Sequence, residues 1–358
     1  MKVCIIGSYI KALVMTADRL PMTGETLIGY DYRETFGGKG SDMAVQAARL
    51  GAEVVYIGVA GDDLFGQEFI DLMKREKVDI TGLRITDEET TGIGFIVKDK
   101  QAKNIIVVTP GANNLFNRED IDRAGHLIED SDVVLAQLEI PIDTALYAMK
   151  KGKEAGKLTI LNSAPAMDLT SYDLSCVDIL TPNETEARVA AGIPVQSAES
   201  DQDAADILLT TGCQSVVMTL GDKGAKVFTK EGAYGVEPYF VDVVDSNGAG
   251  DCFNASLATA LAAGKTLKEG VYYANAAAAL CCTKWETVLS YLTAGQVEEF
   301  IKNMKTKVGK YNKEIQGIYT GSGAVFKGTT HEVLVEELAP KAKVICGKEK
   351  KNQRKCNS

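Results

Sequence analysis

Asp245-Ser246-Asn247-Gly248-Ala249-Gly250-Asp251 runs straight into an apolar stretch, Cys252–Ala263, that reads as a helix. Three small residues at a helix start leave backbone N–H groups free to face an anion. The helix dipole adds favourable potential at the same place. A carboxylate at Asp251, in the first turn, then stands beside an anion hole formed by Gly248, Ala249 and Gly250. A phosphoryl group held there has a base next to its attacking hydroxyl, which is what phosphoryl transfer to an alcohol requires. Plain helix capping accounts for the same residues equally well when they are taken alone.

Three more stretches carry polar groups at element junctions. Phe36-Gly37-Gly38-Lys39-Gly40-Ser41-Asp42 precedes a helix, and its glycines let backbone approach a polyhydroxylated ligand closely. Lys39 and Asp42 then have hydroxyls within reach. Thr181-Pro182-Asn183-Glu184-Thr185-Glu186 crosses from strand to helix, with Asn183 and Glu186 three apart on one face. Glu186 there suits a hydrated Mg²⁺ near phosphates, or simply a capped first turn. Thr219-Leu220-Gly221-Asp222-Lys223-Gly224 is a strand end followed by a glycine turn, the place where open α/β sheets bind ligands.

Working outward, short β-rich runs alternate with helical patterns. Val3–Gly7, Val54–Gly58, Val133–Leu138, Leu158–Asn162, Ile179–Pro182 and Ser215–Leu220 read as buried parallel strands. Ser41–Leu50, Phe65–Glu76, Pro141–Ala155, Glu184–Ala191 and Asp203–Thr211 read as the helices between them. This alternation predicts a doubly wound α/β sheet. A hairpin (Ala225–Thr229, Ala233–Pro238) and Ala-rich helices from Ala249 to Thr283 follow. Two regions break the alternation: an edge strand over Glu25–Phe36, and a hairpin of Thr91–Lys98 with Asn104–Thr109. Strands without helices between them predict a small β-sheet inserted as a lid, within about residues 10–36 and 91–109.

The 358 residues are roughly two domains' worth of chain, or one large domain with an appendage. A net charge of −10 argues against a nucleic-acid or anionic-membrane binder. The eight cysteines show no C-x-x-C spacing and the two histidines no ligand pattern, so zinc is not expected. No apolar run approaches the about 20 residues of a membrane span, and no signal peptide is visible, so the cytoplasm is the default. Lys341–Ser358 carries +6 against −16 on the remainder, which reads as a partly disordered basic tail, with one short helix at Thr329–Leu338. A P-loop ending at Gly264-Lys265-Thr266 fails because position 259 is Thr. The missing Gly-x-Gly-x-x-Gly after the first strand disfavours a nucleotide-dependent dehydrogenase.

Taken in order, Gly37-Gly38-Lys39-Gly40, Asn183-x-x-Glu186 and Asp245-x-x-Gly248-Ala249-Gly250-Asp251 resemble the ribokinase family of carbohydrate kinases, the PfkB superfamily. The likeness runs from Met1 to about Val308. It implies a ribokinase-like α/β domain over 1–308, a mostly parallel sheet with helices on both faces and an inserted β lid, followed by an accessory tail over 309–358. It also implies ATP-dependent transfer to a sugar hydroxymethyl group. Asp251 matches the family's base, and Gly248, Ala249 and Gly250 its anion hole. Gly38, Lys39, Gly40, Asp42 and Glu139 match sugar-contacting positions. Asn183, Thr219, Gly221, Gly224, Gly250 and Asn275 match nucleotide contacts, with Glu186 tied to Mg²⁺ and phosphate. Asp245, Asn247, Cys281, Lys284, Glu286 and Ser290 occupy the positions around a K⁺ ion that the family holds mainly by backbone oxygens. A homodimer through the lid sheet is a further expectation.

The sequence departs from the family at the sugar. Ribokinases usually begin Gly-Ser-x-Asn-x-Asp, whereas this chain has Gly7-Ser8-Tyr9-Ile10-Lys11-Ala12. Both polar grips are gone, Asp42 stands where Asn is usual, and Trp285-Glu286-Thr287 replaces a Gly-Ala stretch of the cation loop. Tyr9 and Lys11 supply replacement donors only if the strand register shifts. These departures disfavour free ribose and leave open another small polyol or a nucleoside. A non-catalytic sugar sensor is the alternative that an intact Asp251 opposes.

Overall fold

Strands form where β-branched and aliphatic residues run together, and in the computed structural model, which describes residues 1–101 and 103–304, they gather into two sheets. The expected tail over 309–358, with its helix at 329–338, lies outside the described residues. Met1–Ile301 make up one compact unit.

The larger sheet has nine strands. In chain order they are β1 (Lys2–Ile6), β4 (Glu53–Gly61), β5 (Asp79–Thr86), β8 (Val133–Gln137), β9 (Leu158–Asn162), β10 (Ile179–Leu180), β11 (Ser215–Thr219), β12 (Ala225–Thr229) and β13 (Gly232–Val236). Their spatial order is β13-β12-β11-β10-β9-β8-β1-β4-β5, with β12 and β13 antiparallel at one edge. The remaining pairings are parallel. Strand β5 sits at the other edge and alternates exposed with covered residues; its Asp79, Gly82 and Arg84 hide it from a hydrophobic scan.

Helices cover both faces, because alternate residues of one strand point to opposite sides. Val3 and Ile5 belong to the core shared with α1 (Lys39–Arg49), α2 (Leu64–Arg75), α8 (Ala249–Ala262) and α9 (Leu267–Cys281). Cys4 and Ile6 belong to the core on the other face, with α3 (Arg118–Arg123), α4 (Gly125–Glu129), α5 (Ile142–Glu154), α6 (Glu184–Ala190) and α7 (Asp201–Thr210). No helix among the described residues is long and apolar enough to cross a membrane.

The lid is a separate four-stranded sheet, ordered β3-β2-β6-β7, of β2 (Ile10–Thr16), β3 (Asp31–Gly37), β6 (Gly92–Lys98) and β7 (Asn104–Thr109). The stretch expected as a strand from Glu25 becomes one only at Asp31, where Thr16 pairs with it. Register along β2 is unbroken against both neighbours. Ile10, Ala12 and Val14 therefore face one side and Lys11, Leu13 and Met15 the other. Lys11 is buried on that second side, between the Phe36 and Phe65 rings, and pairs with Glu34 and Glu68. No register shift carries it, or the buried Tyr9 ring stacked on Phe69, towards the inner side.

Candidate active site

The chain leaves β1 for one side of the sheet and later resumes at β8 on the other, so the strand order reverses between these two neighbours. Loops at the carboxyl ends of strands part at such a point and leave a crevice. Gly7-Ser8 follows β1 and Glu139 follows β8. The Ser8 hydroxyl and the Lys39 N–H both donate to Glu139 Oε2, at 2.5 and 2.8 Å, while Gln137 Nε2 donates to Ser8 at 3.1 Å. Gly38 makes this approach possible. Its φ is +88°, and a Cβ there would stand 2.6 Å from the Ile10 nitrogen. Gly40 packs its backbone against Gly7 and Ser8 and contributes no wall to the crevice.

A cavity of about 570 Å³ opens between this floor and the lid. Gly38, Lys39, Asp42, Glu139, Gly248 and Asp251 line its polar end. Ile10, Ala12, Val14, Ile96, Ile106 and Val108 line the lid side, and Trp285 with Glu286 the mouth. The lid wall follows from the pleat: the inner positions of β2 are Ile10, Ala12 and Val14, those of β6 Gly94, Ile96 and Lys98, and those of β7 Asn104, Ile106 and Val108, aliphatic at the centre with Lys98 and Asn104 at one end. A second cavity of about 350 Å³ is lined by Thr219, Gly221, Gly224, Ala249, Gly250 and Asn275, with Tyr239, Phe240, Phe253 and Ala278 as apolar walls. Val243 and Ser246 line both. The start of α8 thus stands between the two.

Helices α6, α7 and α9 each begin with a capping box. Helix α8, like α1 packed against it, begins at a glycine with positive φ, Gly248 at +75°, and no side-chain cap, so its first N–H groups and dipole end carry no side-chain partner. A Cβ at Gly248 would lie 2.8 Å from the Tyr291 hydroxyl. Asn254, which sequence reasoning passed over, fastens the first turn: its amide donates to Gly250 O at 2.9 Å and its Oδ1 accepts from Thr181.

Asp251 is buried, with Lys39 Nζ 3.8 Å from its Oδ1. Burial pushes its carboxyl up to about 6, against the pull of Lys39 and with the push of Glu139 and Glu186. Lys39 is held above its ordinary value by Asp251. Asp42 is buried too, and desolvation, then Asp251 and Glu139, raise its carboxyl well above the ordinary range.

Asn183 and Glu186 lie outside both linings; they cap α6, the Glu186 carboxylate accepting from the Asn183 N–H at 2.9 Å. Asn275 lines the second cavity, its amide donating to the Val236 and Glu237 carbonyls. Asp245 accepts from the Asn247 and Glu286 N–H groups at 3.0 and 3.2 Å. Cys281 and Ser290 contact each other at 3.0 Å behind the cavity, and Lys284 is also outside its lining. The Glu286 carboxylate turns to Arg33 of the lid, 3.6 Å away. Among the described residues no group of three His, Cys, Asp and Glu side chains is placed to hold a metal ion.

The model of the pfkB family carbohydrate kinases matches residues 1–294. The chain belongs to that family. As a pfkB-family carbohydrate kinase it is an ATP-dependent phosphotransferase with an alcohol acceptor. It is 35% identical to the ribokinase of Haemophilus influenzae over 84% of this chain and 98% of that one. It is 30% identical to the deoxyribokinase of Salmonella typhi, over 84% and 99%. Among solved structures this kinase is similar to the ribokinase of Arabidopsis thaliana complexed with ribose and ATP (TM-score 0.77, 27% identity, 84% and 98% covered). It is similar in the same way to the ribokinase of Thermotoga maritima (TM-score 0.76, 29%, 84% and 99%).

Proposed function

We propose that this kinase is a cytoplasmic enzyme that phosphorylates a sugar hydroxymethyl group, with Asp251 as general base. One observation carries the reading: an uncapped helix start, with a buried carboxyl in its first turn, stands between a polar-floored cavity and a second cavity lined by glycine backbone. The sugar lies in the larger cavity on Lys39, Asp42 and Glu139. ATP lies in the smaller one, its adenine between Tyr239, Phe253 and Ala278 and its phosphates at Gly248–Gly250. Asp251 takes the hydroxyl proton as the oxygen attacks the terminal phosphorus, and the Gly248–Gly250 N–H groups stabilise the developing charge. Glu186 would hold Mg²⁺ through water by the oxygen its cap leaves unused, and the ion would neutralise phosphate charge. The loop from Lys284 to Ser290, tied to Asp245, offers backbone oxygens to a monovalent cation, for which K⁺ fits the family.

The substrate reading follows the lid. Ile10 and Ala12 give it an apolar inner wall, so an acceptor with fewer hydroxyls on that side, or one carrying an apolar group as a nucleoside does, suits it better than ribose. The outer lid side exposes Phe95, Ile105 and Val107, which suits a homodimer. We place the kinase domain at 1–308 and an accessory tail at 309–358. ADP release from ATP, measured with ribose, 2-deoxyribose, other small polyols and nucleosides, tests the function. Turnover with one of these is expected, and none with any of them overturns the proposal.

A further inference from the structure

Asp42 is 3 % exposed and faces the larger cavity from α1, yet its Oδ1 has no hydrogen-bond partner among the described residues. An unpaired buried oxygen is costly, and it costs most as part of a charged carboxylate. Charge sharpens the point. Asp42 is faced by Asp251 from α8, by Glu139 after β8 and by Tyr9 before β2, while the Tyr291 hydroxyl from the segment after α9 hydrogen-bonds it and, with Lys39, partly offsets their push. Lys39, on its own helix, is the ammonium set among these carboxyls, and it stands 3.8 Å from Asp251. The other cations of the cavity are at its mouth: Arg33 pairs with Asp31 and Glu286, and Lys98 lies over the Trp285 ring. A third negative charge in this dry floor has no counterion of its own, and burying one unpaired is prohibitive.

We propose that Asp42 meets the acceptor sugar as a neutral carboxylic acid, its O–H donating to one hydroxyl and its carbonyl oxygen accepting from another. The proposal rests on the sugar-kinase reading and adds what determines the grip. A carboxylate only accepts, whereas the acid donates and accepts as an amide does. With Ile10 and Ala12 apolar on the lid, hydroxyls on that side lack lid partners, and the floor supplies the donor instead. Burial raising the Asp42 carboxyl agrees with this assignment. The sign follows: the binding form exists below the raised value, so sugar affinity is present on its acid side and is lost as pH climbs through it. Asp251, at about 6, must be charged to act. The two carboxyls are thus required in opposite protonation states.

The test uses the full chain and calorimetric binding of ribose and of 2-deoxyribose from about pH 6 to about pH 10. Native protein is expected to bind more weakly as pH rises, its Kd approaching about tenfold per unit on the alkaline side. Asp42→Asn should bind without that dependence, since the amide donates at every pH. Asp42→Ala should bind at least about tenfold more weakly than native on the acid side, where the native acid is intact, as for a missing charge-free donor–acceptor pair, and should show no such pH dependence. Infrared difference spectra of native protein against Asp42→Asn, taken on the acid side of the native binding transition, should show the C=O stretch of a protonated acid. A flat native profile, an unchanged pH dependence in Asp42→Asn, or no acid band overturns the assignment, and the native measurements stand even if a variant melts early. Binding of neither sugar at any pH overturns the sugar reading as well, whereas binding without the pH dependence overturns Asp42 alone.

Discussion

Lys39→Met removes the ammonium that faces Asp251 and is expected to drag the acid limb of turnover towards alkaline pH. On the proposed mechanism Asp251 acts only as a carboxylate, and burial pushes its carboxyl up to about 6. Native activity is thus expected above that value and should fall about tenfold per unit below it. Lys39 works against the burial that raises Asp251. At the observed 3.8 Å, two unit charges in an effective dielectric near 20 attract by about 4 kcal/mol. That is up to about 3 pH units of the Asp251 midpoint. Lys39 is partly open to water, which dilutes the attraction, so an upward move of about 1–2 units is the working figure. Initial rates of ADP release, at saturating ATP and acceptor from about pH 5 to about pH 9, give the limb directly. Asp251→Asn serves as the companion, because it keeps shape and capping but cannot take the proton. Its kcat should fall about 10²–10⁴-fold with ATP binding little changed. A limb that stays in place in Lys39→Met, or an Asp251→Asn rate within about threefold of native, refutes the base assignment.

K⁺ should activate over Na⁺ through the Asp245 loop, and equal rates in K⁺, Na⁺ and a bulky organic cation would count against a cation there. Native ribose turnover should be weak, with KM above the usual range of about 1 μM–1 mM. Ile10→Asn with Ala12→Asp should raise ribose kcat/KM by roughly tenfold or more, as one or two recovered hydrogen bonds allow; efficient native ribose turnover would show the grips dispensable. Gly38→Ala puts a Cβ 2.6 Å from the Ile10 nitrogen at φ +88°. It should cost about 1–3 kcal/mol, read as a lower urea midpoint at unchanged slope, and an unmoved midpoint would refute the close approach.

Much of the fold was legible because period and chemistry agree locally. Buried parallel strands such as Val133–Gln137 are unbroken apolar runs, and helices such as α5 repeat apolar residues at helical spacing. Strand β5 was not legible, because an edge strand pairs on one side only and tolerates Asp79, Gly82 and Arg84. The short α3 and α4 also escaped, being too brief to show a period. At the site, motifs contiguous in the chain were readable: the glycine turn at Gly37–Gly40 and the helix start at Gly248–Asp251 announce themselves by composition. Residues that only line the cavities were not. Ile96, Ile106 and Val108 look like ordinary strand residues until pleat and register turn them inward. Tyr239 and Phe253 likewise look like core until a cavity opens against them.

The sequence by itself determined the element types, the order of the motifs and the chemistry they carry, because backbone propensity, glycine freedom and side-chain charge act over a few residues. It also determined that positions 10 and 12 carry the apolar Ile10 and Ala12. Only the tertiary structure decided which groups share a dielectric. Lys39 and Asp251 are 212 positions apart, and Asp42 and Glu139 nearly a hundred, yet packing of α1 against α8 at the β1–β8 crevice sets them in one dry floor. Charges screened from one another in an extended chain meet there around the Lys39 ammonium, and their burial together, which no stretch of sequence contains, raises the Asp42 and Asp251 carboxyls.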